Sequence, residues 1–279
     1  MKTLIFLAAA SLALAGSAAE WKNVDAAHYL GGRKASAGYL QGKVVLVDRW
    51  GAKCPPCRAL LPRVEEIWQN FKAKQFVVLG GHCQGWGDAD EVKGIIAANK
   101  LTYPVYEDAG LAVDEPPFDS IPYLYVVDET GKIIFRGRDE RTATQAIVTA
   151  ITDMESPRSL KQWKRFLDYE LEHLPCRALI RLREFKDKFP KEAREYAAKE
   201  KELLSIADLK NVTDLVEFAR KAKDPPVVGP KDKAKKAKYE KLVKDVLAKC
   251  EAFKEHSDPR VAQEAKNALA DLKWAQAAF

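Results

Sequence analysis

Between residues 43 and 62 the chain passes from an unbroken apolar run, VVLV, closed by Asp48, through RWGAK into CPPC and then RALLP. A short continuous apolar run of this kind is a strand covered on both faces. Beyond it, Leu60, Val64, Ile67 and Phe71 recur at helical spacing. Pro55 and Pro56 suit a first helical turn, where backbone N–H groups lack intrahelical partners anyway. Cys54 and Cys57 therefore open a helix directly after a strand. That order sets two thiols at a helix N-terminus and begins the strand–helix alternation of an α/β fold.

The pattern continues in kind. Phe76-VVLGG is a second covered strand, and Asp88 or Asp90 can cap a helix that buries Val92, Ile95 and Ile96. Tyr123-LYVVD and Lys132-IIFRG flank Glu129-Thr130-Gly131, the layout of a hairpin. Ala143, Ile147, Ala150, Ile151 and Met154 line a closing helix.

From Ser156-Pro157 onward the strand signals stop, and the chain becomes charged and rich in Leu and Ala. Prolines at 157, 190, 225 and 259 recur with a period close to the helix–turn–helix length of tetratricopeptide units. Residues 231–256 carry no internal turn signal. The expected region is a helical-hairpin array, with tetratricopeptide repeats as its most regular form. Pro225-PVVGPKDKAKKAK reads as a linker running into a basic helix start. The net charge of +6 comes wholly from this half, which directs it weakly toward acidic partners, although acidic residues are mixed in throughout. The division read from these shifts is 1–19, 20–155 and 156–279, with the helical part a separate domain that docks partners.

Residues 1–19 combine Lys2, an apolar run from Leu4 to Leu14 and the small residues Ser17-Ala18-Ala19, as in a secretory signal peptide. The run is too short to anchor in a bilayer, and no Cys follows it to carry a lipid. A periplasmic or secreted location is expected. Five cysteines, at 54, 57, 83, 176 and 250, leave at least one unpaired within the chain.

At a helix N-terminus the first thiol meets the positive end of the dipole and the second lies one turn inside, so Cys54 fits a nucleophile and Cys57 a resolving thiol. The two prolines withhold donors from a Cys54 thiolate, which makes the couple more reducing, while Lys53 pushes weakly the other way. Asp48 is a lone acid in an apolar strand. Burial would raise its pKa and suit it to proton transfer near neutral pH, unless it is simply an edge carboxylate. A structural disulfide or half a zinc site are the other readings of the pair, and no second C-x-x-C completes the zinc set. His82-Cys83 should end near Cys54, because adjacent parallel strands finish at one sheet edge. A regulatory third thiol, a soft-metal site with Cys54 and Cys57, and a partly buried loop thiol are all open. PCRALI at 175–180 echoes PCRALL at 56–61 without a first Cys. No Gly-rich phosphate loop, Ser/His/Asp order or nucleic-acid motif stands out.

VLVDRWGAKCPPCRALLP resembles the active-site segment of the thioredoxin superfamily, in particular the exported TlpA-like thiol–disulfide oxidoreductases. The resemblance spans roughly residues 38–154 and implies a thioredoxin-like fold. It makes Asp48 the buried acid serving Cys57, Trp50 the first active-site tryptophan, and Pro62 the proline that kinks the helix. Ile121-Pro122 takes the place of the cis-proline loop, so that Trp50, Ile121 and Pro122 would meet the substrate chain. Arg49 and Lys53 stand where aromatics are usual and would alter the client-facing surface. Tyr123 follows the proline where a smaller residue is common, and Leu60 replaces a helix Glu found in some members.

The expected protein is thus a thiol–disulfide oxidoreductase acting as a reductant. It would use no cofactor beyond the Cys54–Cys57 disulfide, with disulfide-containing proteins as clients and a membrane-linked electron donor implied by the resemblance. The alternatives are a copper carrier using the dithiol with His82 or Cys83, since copper(I) prefers soft ligands, and a thiol peroxidase.

Overall fold

The computed structural model describes residues 19–222 and 233–277. The signal-peptide reading, apart from Ala19, and the first part of the 225–238 linker lie outside them. In chain order come β1 (Trp21–Lys22), β2 (Tyr29–Gly31), the short α1 (Ala37–Leu40), β3 (Val44–Trp50) and α2 (Pro55–Phe71). There follow β4 (Phe76–His82), α3 (Ala89–Ala98), β5 (Val105–Glu107), β6 (Gly110–Leu111), β7 (Tyr123–Val127), β8 (Ile133–Gly137) and α4 (Glu140–Glu155).

Six strands make one sheet in the order β2-β5-β4-β3-β7-β8, with β3, β4 and β5 parallel and the others antiparallel to their neighbours. The side-chain period of two divides β3 between two cores. Val44, Leu46 and Trp50 join the cluster formed with α2, α3 and α4. Val45 and Val47 join the cluster on the opposite face, with Tyr39, Leu40, Tyr106 and Tyr125.

The expected helix 89–98 is capped by Asp88, which accepts from the N–H groups of Asp90 and Glu91. All five apolar residues foreseen for the closing helix are buried. On α2 the inward stripe falls on Cys57, Leu61, Val64, Ile67 and Trp68. Leu60 and Phe71, expected on it, are only partly buried and flank the core.

The C-terminal part is helical, as expected: α5 (Leu160–His173), α6 (Pro175–Lys188), a 3-10 turn (Glu192–Tyr196), α7 (Ala197–Leu204), α8 (Leu209–Ala222), α9 (Lys233–Phe253) and α10 (Pro259–Ala277). Helices α5 and α6 form a hairpin, α8 packs on α6, and α9 returns as α10. Pro190 lies between elements, whereas Pro259 opens a helix, so the proline period does not mark equivalent places. Helix α10 packs on α8 and α9 and also against α1 of the sheet part.

The two parts also share buried contacts. Phe166 of α5 belongs to the same core as Ile147, Ile151 and Met154 of α4. Arg177 donates to the Gly42 carbonyl at 2.6 Å, and the Tyr39 hydroxyl donates to Asp271 at 2.7 Å. Arg165 pairs with Asp128 at 2.8 Å and Glu129 at 3.0 Å in the β7–β8 turn. Beneath this seam the buried Glu170 takes two hydrogen bonds from Arg181, at 2.6 and 2.9 Å. Arg177 stands at 3.3 Å from the same carboxylate. Burial pushes Glu170 up, and the two guanidinium groups more than offset that, holding it below its ordinary value. Such a group costs several kcal/mol to strand without its partner.

Candidate active site around Cys54

Cys54 is the N-cap of α2, with extended backbone, and its Sγ accepts from the Cys57 N–H at 3.3 Å. Pro55 and Pro56 occupy the first helical positions and offer no N–H to that sulfur. The two cysteines form a disulfide, with Cα atoms 5.3 Å apart. Cys54 is 4% exposed and Cys57 1%, so both are buried and Cys54 is the less enclosed of the two. The Ile121 carbonyl lies 3.8 Å from Cys54 Sγ, and the Ile121–Pro122 peptide is cis. The loop leading into β7 therefore stands directly over the disulfide.

Asp48 sits on β3 between Leu46 and Trp50, on the face that packs against α2. It is 1% exposed, and neither carboxylate oxygen has a hydrogen-bond partner among the described residues. Burial raises its pKa from 3.8 to about 7, against a smaller opposing pull from Arg49. Gly80 pairs in register with Asp48 on β4. A Cβ there would lie 3.0 Å from Cε2 of Tyr103, so the glycine admits the Tyr103 ring beside the acid.

Two residues expected on the client-facing surface, Trp50 as a site residue and Arg49 as a departure from the usual aromatic, face elsewhere. Trp50 is fully buried and stacks edge-on with His82 at 5.2 Å; it lies beneath the site and not on the face that a client would meet. Arg49 points to the opposite side of the sheet, because successive strand residues alternate. There it donates to the Ala109 carbonyl at 2.8 Å, pairs with Asp108 at 3.1 Å and Glu115 at 3.6 Å, and lies over Phe118 at 5.1 Å. It fastens the segment that leads to Ile121-Pro122 instead of altering the client-facing surface. Lys53 is exposed, as expected.

His82 and Cys83 end β4 beside the site, Trp50 pairing with His82 in register. His82 Nε2 accepts from the Ala52 N–H at 3.2 Å, and burial keeps the imidazole below its ordinary pKa, which fits a neutral acceptor. The Cys83 N–H donates to Trp50 O at 2.8 Å, and burial pushes its thiol up. No group of three or more His, Cys, Asp or Glu side chains among the described residues is arranged to hold a metal. Cys176 and Cys250 are free and buried in the helical core. The second PCRAL segment also opens a helix, but there the Cys176 and Arg177 N–H groups bind the Glu264 carboxylate at 2.7 and 3.0 Å.

One residue at the site has no counterpart in the sequence reading. Trp86 follows β4 between Gly85 and Gly87, both at positive φ, and is 45% exposed. Its carbonyl accepts from the Lys53 N–H at 2.9 Å. A tryptophan bracketed by glycines just past a strand whose end must adjoin Cys54 was a usable signal.

The AhpC/TSA family model matches residues 17–136. This part of the chain is a redoxin domain with a thioredoxin-like fold. The thiol-disulfide oxidoreductase ResA of Bacillus cereus is 28% identical over 121 residues, covering 42% of this chain and 66% of that protein. The thioredoxin-like protein YneN of Bacillus subtilis is 30% identical over 105 residues, covering 37% and 61%. The chain thus spans just under two thirds of the length of these curated relatives. A solved thiol:disulfide interchange protein of the thioredoxin family from Chlorobium tepidum superposes with a TM-score of 0.38 at 20% identity, over 44% of this chain and 90% of its own. The family match ends before α4, so the helical part extends beyond the redoxin domain.

Proposed function

We propose that the protein is an exported thiol–disulfide oxidoreductase that reduces disulfides in client polypeptides. The observation that carries the reading is the Cys54–Cys57 disulfide at the mouth of α2, with the buried, unpartnered Asp48 on the face behind it. In the reduced protein the Cys54 thiolate attacks a client sulfur. The client S–S bond breaks, one client thiolate leaves, and a mixed disulfide forms. Cys57 gives its proton to the Asp48 carboxylate and attacks Cys54 Sγ. The Cys54–Cys57 bond forms, and the second client sulfur leaves and takes up a proton. Two electrons pass from the protein dithiol to the client disulfide.

A group that titrates near pH 7 is suited to both halves of that proton transfer. Reduction is favoured over oxidation because a single N–H serves the Cys54 sulfur in the first turn. The family resemblance supports re-reduction by a membrane-linked dithiol. No helix among the described residues is long and apolar enough to cross a membrane.

The test is a single turnover of the reduced full chain with a small disulfide, following thiol release. Stoichiometric release that disappears in Cys54→Ser supports the proposal. Tight retention of copper(I) with no exchange would replace it by the carrier reading, and peroxide consumption faster than disulfide exchange by the peroxidase reading.

A further inference from the structure

We infer that Trp86 forms one wall of the client seat and selects clients with an apolar side chain beside the reacting cysteine. The inference rests on the oxidoreductase reading and adds the kind of segment the site accepts.

Every other tryptophan whose burial is described is at least half-buried, and Trp50, Trp68 and Trp163 are almost wholly enclosed. Trp86 alone among them is exposed, and it is exposed beside the disulfide. Its place is fixed by the backbone. Lys53 N–H donates to the Trp86 carbonyl, Trp86 N–H donates to the Cys83 carbonyl at 3.2 Å, and Cys54 N–H donates to the Gly51 carbonyl at 3.1 Å. Gly51 is the floor between the two walls. A Cβ on it would lie 2.5 Å from Trp86 Cβ and 3.0 Å from Ile121 Cδ1. Those two side chains therefore stand within about a side chain's width of each other. Ile121 also presents its carbonyl to Cys54 Sγ at 3.8 Å.

Trp86 and Ile121 thus meet over the buried Gly51 as one apolar strip that reaches the reactive sulfur through Ile121, and Pro55 and Pro56, which follow Cys54, are exposed. Lys53, in the position that the resemblance would fill with an aromatic, is exposed and leaves this strip to Trp86. An extended client with its cysteine over Cys54 places the neighbouring side chain on the strip, where covering the indole removes apolar surface from water. A small polar neighbour gains nothing there.

The test uses the reduced full chain and two synthetic peptides with an intramolecular disulfide, differing only in Leu or Ser beside the first cysteine. For the unmodified protein, the single-turnover second-order rate constant for the Leu peptide should exceed that for the Ser peptide by roughly ten-fold or more, carried in the peptide concentration that gives the half-maximal rate. Trp86→Ala should bring the ratio to near unity, and Trp86→Phe should keep most of it. Because the backbone carbonyl holds Lys53, the Phe variant also guards against misfolding as the cause. Equal rates for both peptides in the unmodified protein, or a preference that survives Trp86→Ala, overturns the inference and leaves the oxidoreductase reading standing. No reduction of either peptide or of a small disulfide overturns both.

Discussion

Replacing Asp48 by Asn should make the oxidised protein more stable at alkaline pH, although it is proposed to make the enzyme slower. The carboxyl titrates at about 7 in the folded protein, against an ordinary 3.8. The native state therefore holds this proton more tightly than the unfolded chain does. The stability this contributes is complete below pH 3.8, declines as the pH rises, and is gone above about 7. The interval corresponds to roughly 4 kcal/mol at about 1.4 kcal/mol per pH unit, an order-of-magnitude figure for so buried a group. Asn keeps the shape and carries no charge to desolvate. The assay is urea unfolding of both proteins at several values between pH 4 and 8.5, read as the difference between them so that other titrating groups cancel. The variant should gain about 3–4 kcal/mol on the unmodified protein between the ends of that range. Parallel pH profiles, or a variant less stable at pH 8.5, would show that Asp48 is not a charge held out of water and would remove the basis for its proton role.

Cys57→Ser should trap clients as mixed disulfides through Cys54, visible on non-reducing gels; trapping that persists when Cys54 is also removed refutes the assignment. Asp48→Asn should slow single-turnover exchange between pH 6 and 8 and flatten its pH dependence, and unchanged rates would exclude the acid. Arg49→Met should cost about 1–3 kcal/mol in thermal or urea unfolding by leaving the buried Ala109 carbonyl without its donor, and should slow exchange by releasing the segment before Ile121; a variant equal to the unmodified protein in both would refute that anchoring role. A chain ending at Glu155 should be poorly soluble, because it uncovers Phe166's seat on α4 and removes Asp271 from the Tyr39 hydroxyl and Arg177 from the Gly42 carbonyl. A well-folded, fully active truncation would instead show an independent helical domain.

Much of the redoxin domain was legible in the sequence because its information is local. VVLVD has the β-rich apolar run of a covered strand, CPPC sets both thiols at a helix start, and Asp88 caps its own helix through N–H groups two and three residues on. His82 could be placed near Cys54 because parallel neighbours finish at a common edge, and Trp50 and His82 do pair in register. What tertiary structure decided depends on which face a side chain takes and on what another element puts there. Asp48 and Arg49 are consecutive, yet one is sealed without a partner beside the disulfide and the other ties down a loop across the sheet. Trp50 is buried and Trp86 exposed, although both are tryptophans next to glycine at the ends of adjacent strands. The helical half shows the same limit. Its sequence specified amphipathic helices, but only the docking of α10 on α1 and of Phe166 on α4 joined them to the sheet. That docking rests on contacts such as Tyr39 with Asp271, separated by more than two hundred residues, which no local pattern encodes.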